Sequence, residues 1–357
     1  MLAKPYRSEW EREERECFQR PEFVRFQTAA GIDFSDLLAD DQETVVRAQR
    51  HLTDQSVLCH ELRKDRTGYC LPLMACTHEL NFGSPRISHN LDLDRLLLGE
   101  ELIDSLRRRH IALYQALLPG QLQDLARQFK EPLTVLNLGS GGGLDTLHLL
   151  QDDPDRVARV INLDIDPEAV AWGRRLAGAL ERKRLIPRGR IEYDCRSLMK
   201  SRTRGHLVLL AGVICELSDA AARSVLRRIH ALLPVGGRLL LSTFNDNLPE
   251  RSPLGAFLLQ HLGSNLDPAD GWTGTGRSRK ALRGLLTEAG FRELTIYDDR
   301  NYPGRASLPD EILWGVDTLA TTAFDLDHPG RPLTRSLDEI GKPQPGCNWI
   351  AVAEKIA

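Results

Sequence analysis

Val135-Leu136-Asn137-Leu138-Gly139-Ser140-Gly141-Gly142-Gly143 decides the fold: an apolar run of strand character breaks into four glycines within five residues. Glycine takes positive φ without strain and lets the backbone approach a ligand closely, and Leu144 to Leu150 can start a helix behind the turn. Further on, Val160-Ile161-Asn162-Leu163-Asp164 reads as a second buried strand ending in a carboxylate, the position at which such a turn meets a ribose diol. Asp166-Pro167-Glu168 supplies an N-cap, a first-turn proline and an acidic residue for the next helix. A third strand from Arg190 to Tyr193 ends at Asp194, and a fourth, Leu207 to Ala211, ends at Gly212. This alternation of strands and helices predicts an α/β fold with a parallel, doubly wound sheet.

The ordered series VLNLGSGGG, INLDIDPEAV, IEYDCRSL, HLVLLAGVICELSD, HALLPVGGRLLLSTF and LTEAGFRELTIY resembles the class I S-adenosylmethionine (SAM)-dependent methyltransferases. The resemblance spans residues 132 to 300, and the terminal NWIAVAEKI is similar to that family's last, antiparallel strand. It implies a Rossmann-like sheet and SAM as cofactor, and it is silent on the acceptor. The resemblance puts Gly139, Ser140, Gly141 and Gly143 against the amino-acid end of the cofactor, Asp164 on the ribose hydroxyls and Asp194 on the adenine amine. Ile165 and Cys195, which follow the two aspartates, and Gly212 complete the expected cofactor contacts. The segment Gly212 to Glu216 is expected to face the sulfonium and its methyl group. Asn137 stands where the family carries an acidic residue beside the cofactor's ammonium; a neutral amide still bonds there but supports a positive charge less. His206, at the start of the fourth strand, replaces another familiar acidic residue and reads as structural.

With 357 residues, 41% of them hydrophobic, the chain exceeds a minimal methyltransferase core and is expected to carry accessory structure. The N-terminus lacks an apolar signal region and no apolar run approaches membrane-spanning length, so the expectation is a cytoplasmic protein without a membrane partner. Seven cysteines, an odd number with no CxxC pair, argue against a disulfide framework. Cys70, Cys76 and His78 match no common zinc spacing, and no metal is expected.

A net charge of -3 gives no global field for nucleic acid. Between Glu181 and Arg204 nine Lys or Arg stand against three Asp or Glu, but these segments lead into the third and fourth strands, at the edge opposite the cofactor, and read as a solvated face. Gly212-Val213-Ile214-Cys215 also lacks the tetrapeptide used by amino-methyltransferases of nucleic-acid bases. The expected partner is a small-molecule substrate, with no nucleic acid.

Residues 1–130 read as a helical extension acting as a lid or a homodimer interface: a mixed-charge helix from Ser8 to Arg20, an amphipathic one from Asp41 to Lys64, and another from Asp92 to Leu118 punctuated by Pro119-Gly120. Asn81 to Asn90 is turn-rich, a candidate active-site loop or an exposed linker. Residues 131–357 form the SAM-binding domain, with insertions at 243–277 and 302–346. In the first, Asp246 and Asn247 are either substrate contacts or Asx turns, and Gly271 to Gly276 is a lid or a surface loop. In the second, Leu308 to Ala323 has an amphipathic helical pattern, and Tyr302, Trp314 and Phe324 suit either packing or a sulfonium.

Two chemistries suit this scaffold. In methyl transfer to a small acceptor of specialised metabolism, the protein orients the reactants and removes a proton. The candidate bases are Glu216 and His89, then His78 and His230. In the alternative, SAM itself cyclises, releasing methylthioadenosine and a small cyclic amino acid such as azetidine-2-carboxylate or aminocyclopropane carboxylate; neutral Asn137 suits the unprotonated amine this needs. A non-catalytic SAM-fold partner protein is the third reading.

Overall fold

The computed structural model describes residues 18–63, 89–98, 100–152, 154–262, 276–301 and 346–356. Seven strands form one sheet: β1 Leu133–Leu138, β2 Val157–Asp164, β3 Ile191–Cys195, β4 Leu207–Ala211, β5 Arg238–Phe244, β6 Phe291–Asp298 and β7 Asn348–Lys355. Their order is β3-β2-β1-β4-β5-β7-β6, and only β7 runs antiparallel to its neighbours. The order reverses between β1 and β4, which puts a crevice at the carboxyl ends of those two strands.

Period-2 alternation buries both faces of the sheet. Leu136, Leu138, Ile161, Leu163, Val208 and Leu210 pack under the later helices Asp219–Leu232 and Arg279–Glu288. Val135, Val160, Leu207 and Leu209 pack on the other face under Leu118–Phe129, Leu144–Asp152 and Pro167–Arg182. Several helix starts follow their capping residues: the Asp166 carboxylate accepts the Glu168 N–H at 2.8 Å, and Ser218 and Ser278 accept from Ala221 and Ala281. His206 is structural, as its sequence position suggested. Its Nδ1 accepts the Thr134 N–H at 3.0 Å, while Nε2 lies 3.0 Å from Glu131 at the amino end of the sheet.

The N-terminal helices are α1 Pro21–Ala30, α2 Gln42–Gln55, α3 Val57–Arg63, α4 Leu91–Leu98, α5 Glu101–His110 and α6 Leu118–Phe129. The stretch expected as one helix from Asp41 breaks at Ser56, whose hydroxyl donates to buried Asp94 at 2.5 Å. That same carboxylate accepts the N–H groups of Val57 and Leu58, so α4 caps α3 across the layer. The stretch from Asp92 likewise divides in two, with α4 ending at Leu98 and α5 beginning at Glu101. Pro119-Gly120 does not end a helix: a π-helical segment, Ile111–Leu117, runs on from α5, and Pro119 occupies the first turn of α6, where its missing N–H costs nothing.

Phe34 is the hub of this layer, with its ring 5.2 Å from Phe26, 5.6 Å from Phe23 and 4.7 Å from Phe257, a residue of the helix Pro253–His261. The same apolar cluster takes in Cys215 and Phe244, so the helical layer seats on the carboxyl ends of β4 and β5, beside the crevice. The helices expected over Ser8 to Arg20 and Leu308 to Ala323 fall outside the described residues, apart from Phe18 to Arg20. The aromatic residues Tyr302, Trp314 and Phe324, the segment Gly271 to Thr275 and residues Cys70, Cys76 and His78 fall outside them entirely. No helix among the described residues is long and apolar enough to cross a membrane.

Candidate active site

The glycine turn leaves β1 with Gly139 at φ +67° and Gly143 at φ +66°. A Cβ on Gly139 would collide with Val213 Cγ2, and one on Gly143 would stand 2.6 Å from the Asn162 amide carbon. Both positions therefore exclude a side chain twice over, by conformation and by space. Beneath the turn, Asn137 Nδ2 donates to Asn162 Oδ1 at 3.0 Å, and the Thr146 hydroxyl lies 2.9 Å from that same oxygen. Asn137 is 2% exposed, and its amide is engaged with β2 under the loop. Asn162 Nδ2 is buried without a partner among the described residues.

Asp164 closes the turn from the end of β2. Its Oδ2 accepts the Gly141 N–H at 2.7 Å and its Oδ1 the Asp166 N–H at 2.9 Å. Burial pushes this carboxyl above its ordinary range, while the N–H donors favour the ionised form. Ile165, the next residue, is exposed, and its carbonyl oxygen lies 3.8 Å from the Cys195 thiol. Asp194 forms an ion pair with Arg196 at 2.5 Å at the rim of the sheet. Tyr193 turns inward, and its hydroxyl donates to the Gly142 carbonyl at 3.2 Å.

At the exit of β4, the Gly212 N–H donates to the Ser242 hydroxyl at 3.1 Å, and the chain turns through the short helix Ile214–Glu216. Burial first, and the Asp164 carboxylate second, push the Glu216 carboxyl up to about 7, with Arg109 opposing them. Of the expected bases, Glu216 is the one brought beside Asp164. His89 is exposed in the helical layer, with its backbone N–H bonded to the Gln55 carbonyl. His230 packs edge-on against the Phe291 ring, and its own carbonyl accepts from Lys355 near the amino end of β5. Asp246 is exposed, and Asn247 donates its N–H to Asn245 Oδ1 at 3.2 Å, an Asx turn.

Two arginines that sequence reasoning passed over shape this corner. Arg277, 3% exposed, donates from Nη1 to the Ile214 carbonyl and from Nη2 to the Leu217 carbonyl, each at 2.6 Å, and pairs with Asp219 at 3.0 Å. It holds the loop that carries Glu216. Arg277→Ala is expected to cost about 3 kcal/mol, because a buried and a part-buried carbonyl lose charge-assisted donors. Urea unfolding checks this, and a loss below about 1 kcal/mol would contradict it. Arg109, on α5, places its guanidinium 3.0 Å from the point a Gly212 Cβ would occupy.

A glycine turn, a strand-end carboxylate and a switch-point crevice define the site of a class I SAM-dependent methyltransferase, and the model of the methyltransferase domain matches residues 108–296. That is more than half of the chain, which belongs to this family. A search of curated proteins finds no match. Among solved structures, a possible exported protein from Bordetella parapertussis is 19% identical, with 95% of this chain and 98% of that one covered and a TM-score of 0.51. Magnesium protoporphyrin IX methyltransferase from Synechocystis PCC 6803, with bound SAM, is 12% identical, covering 85% and 97% of the two chains with a TM-score of 0.43. The N-methyltransferase NodS from Bradyrhizobium japonicum WM9 is 12% identical, covering 67% and 94% with a TM-score of 0.38.

The crevice fits the family's cofactor. The positive-φ glycines of the turn carry no side chain between the backbone and a ligand, and Asp164 stands at the carboxyl end of β2 with its carboxylate on the turn.

Proposed function

We infer that this chain methylates a small-molecule acceptor, with SAM held along the glycine turn and the acceptor entering between that turn and the helical layer. The observation that carries the reading is the packing of Val213, which leads into the short helix Ile214–Glu216, against Gly139 of the Asp164-closed turn, with the Glu216 carboxyl making no hydrogen bond to a described residue. Bound SAM would supply a methyl group made electrophilic by its sulfonium. The turn and the start of the helix Leu144–Asp152 behind it would hold the amino-acid end, and Asp164 would accept from the ribose hydroxyls. Val213, lying against Gly139, and buried Ile214 keep water from the reacting face.

Glu216 takes the acceptor's proton. A base works best with a pKa near the operating pH, and a value of about 7 meets that condition. The same shift has a stability consequence with a definite sign. Glu216 binds its proton more tightly in the folded chain than at its ordinary 4.5, so its contribution is fully present below about pH 4.5 and is lost as pH rises through 7. Glu216→Gln is therefore expected to stabilise the fold above pH 7, by roughly 2 kcal/mol, while lowering turnover. Urea unfolding at pH 5 and pH 8 checks it; a variant no more stable than the wild type at pH 8 would contradict the placement.

The cyclisation alternative draws on a neutral Asn137 facing the cofactor's amine; one end of that amide, Nδ2, donates to Asn162. Methyl transfer is tested by calorimetry with S-adenosylhomocysteine. Uptake of one molecule per chain is expected, and a protein that takes up none would sink the proposal.

A further inference from the structure

We propose that Arg109 is the anion-binding group of the acceptor pocket and that the acceptor is a small molecule bearing a carboxylate, an assignment that rests on the methyltransferase reading above. Three observations lead there. First, the guanidinium stands at the exit of β4: a Cβ on Gly212 would lie 3.0 Å from Nη1 and 3.3 Å from Nη2, so both ends of the fork reach the crevice. Second, this arginine makes no hydrogen bond or ion pair to a described residue, in contrast to its neighbours. Arg108 is bound to Asp299 at 3.0 Å and Glu101 at 2.6 Å, and Arg277 has three oxygen partners. Third, Glu216 feels Arg109 as its opposing charge, yet the two are not in ion-pair contact. Two opposite charges held apart at the mouth of a crevice define a gap with a polarity.

The chemistry of that gap selects its occupant. A guanidinium and a sulfonium cation in one crevice repel each other, and an anionic acceptor bound at the guanidinium lessens that repulsion. The planar fork matches a carboxylate in bidentate geometry, and an ammonium would be repelled. Asp164 and Glu216 already supply negative charge nearby, which disfavours a dianion such as a phosphate monoester. The cofactor's own carboxylate has another place to go, since the helix Leu144–Asp152 opens directly behind the glycine turn and a helix start favours an anion. Arg109 is thereby left for the acceptor. Its aim is fixed by the helix that carries it: Arg108 is locked into the buried Asp299 and Glu101 carboxylates, and the π-helical segment begins at Ile111, two residues later. Irregular helical turns of this kind recur at functional sites.

The test uses the full-length protein loaded with S-adenosylhomocysteine and titrated with sodium benzoate or, in parallel, with benzylamine, followed by saturation-transfer NMR. Saturable benzoate binding is expected in the wild type, at least about fivefold weaker in R109Q and intermediate in R109K, with benzylamine not binding. S-Adenosylhomocysteine affinity is expected to stay within about threefold of wild type in both variants, which also shows that they fold. Benzoate binding that is absent, or unchanged in R109Q, would overturn the assignment, as would benzylamine binding in its place. A tenfold or greater loss of S-adenosylhomocysteine affinity in R109Q would move the guanidinium onto the cofactor's carboxylate and equally overturn it. Failure of the wild type to take up S-adenosylhomocysteine at all would instead remove the methyltransferase reading, before any benzoate is added.

Discussion

Asp164→Ala is expected to weaken S-adenosylhomocysteine binding at least tenfold, about 1.4 kcal/mol. The loss has two parts. A carboxylate that accepts paired ribose hydroxyls disappears, and so does the acceptor of the Gly141 and Asp166 N–H groups at 2.7 and 2.9 Å, which fixes the turn itself. Asp164→Asn separates them: it keeps the shape, yet its amide nitrogen cannot accept from Gly141, so it should fall between wild type and alanine. Unchanged calorimetric affinity in Asp164→Ala would refute the role.

Asp299→Ala is expected to cost more, about 3–5 kcal/mol of folding stability, because it strands part of a buried charge network. Asp299 is fully buried, accepting from Arg108 Nε at 3.0 Å and from the Asn348 N–H at 3.0 Å. Its carboxylate also packs so closely on Gly346 that a Cβ there would collide with Oδ1. Glu101 completes the group by bonding both Arg108 and Arg300. Together these contacts tie α5 to the exit of β6 and the entry of β7. Removing one charge leaves Arg108 short of a partner in a dry setting, whereas Asp299→Leu with Arg108→Met should restore part of the loss. A cost below about 1 kcal/mol for Asp299→Ala, measured by urea unfolding, would contradict this.

The parallel sheet was legible in the sequence because its strands are near-continuous apolar runs ended by glycine or a carboxylate, a local signal. The fourth strand is Leu207 to Ala211 as it reads in the sequence, and β1 and β2 are longer than their apolar runs by two or three residues, where polar residues such as Thr134 continue the ladder. The helical layer was less legible. Ser56 breaks a helix because Asp94, far along the chain, caps the next one, and Pro119 fits within a helix because a π-helical segment delivers it to a first turn. Neither partner can be inferred from a local window.

The site divides along the same line. The glycines, Asp164 and Glu216 follow strand ends, so spacing finds them. Arg109 reaches Gly212 from a helix ahead of the whole sheet, and Arg277 reaches Ile214 from 63 residues further along the chain. One arginine among many carries no local mark. Asn137 shows the opposite limit. Its position was legible, but its partner, Asn162 across the ladder, sets what its amide does.

Mass spectrometry of the purified protein, incubated with methyl-deuterated SAM and the small-molecule fraction of a cell extract, tests the central claim most directly. Enzyme-dependent S-adenosylhomocysteine together with a deuteromethylated small acid is the result expected. Methylthioadenosine appearing with a cyclic amino acid, and no deuteromethyl product, would contradict it and make the chain a SAM cyclase.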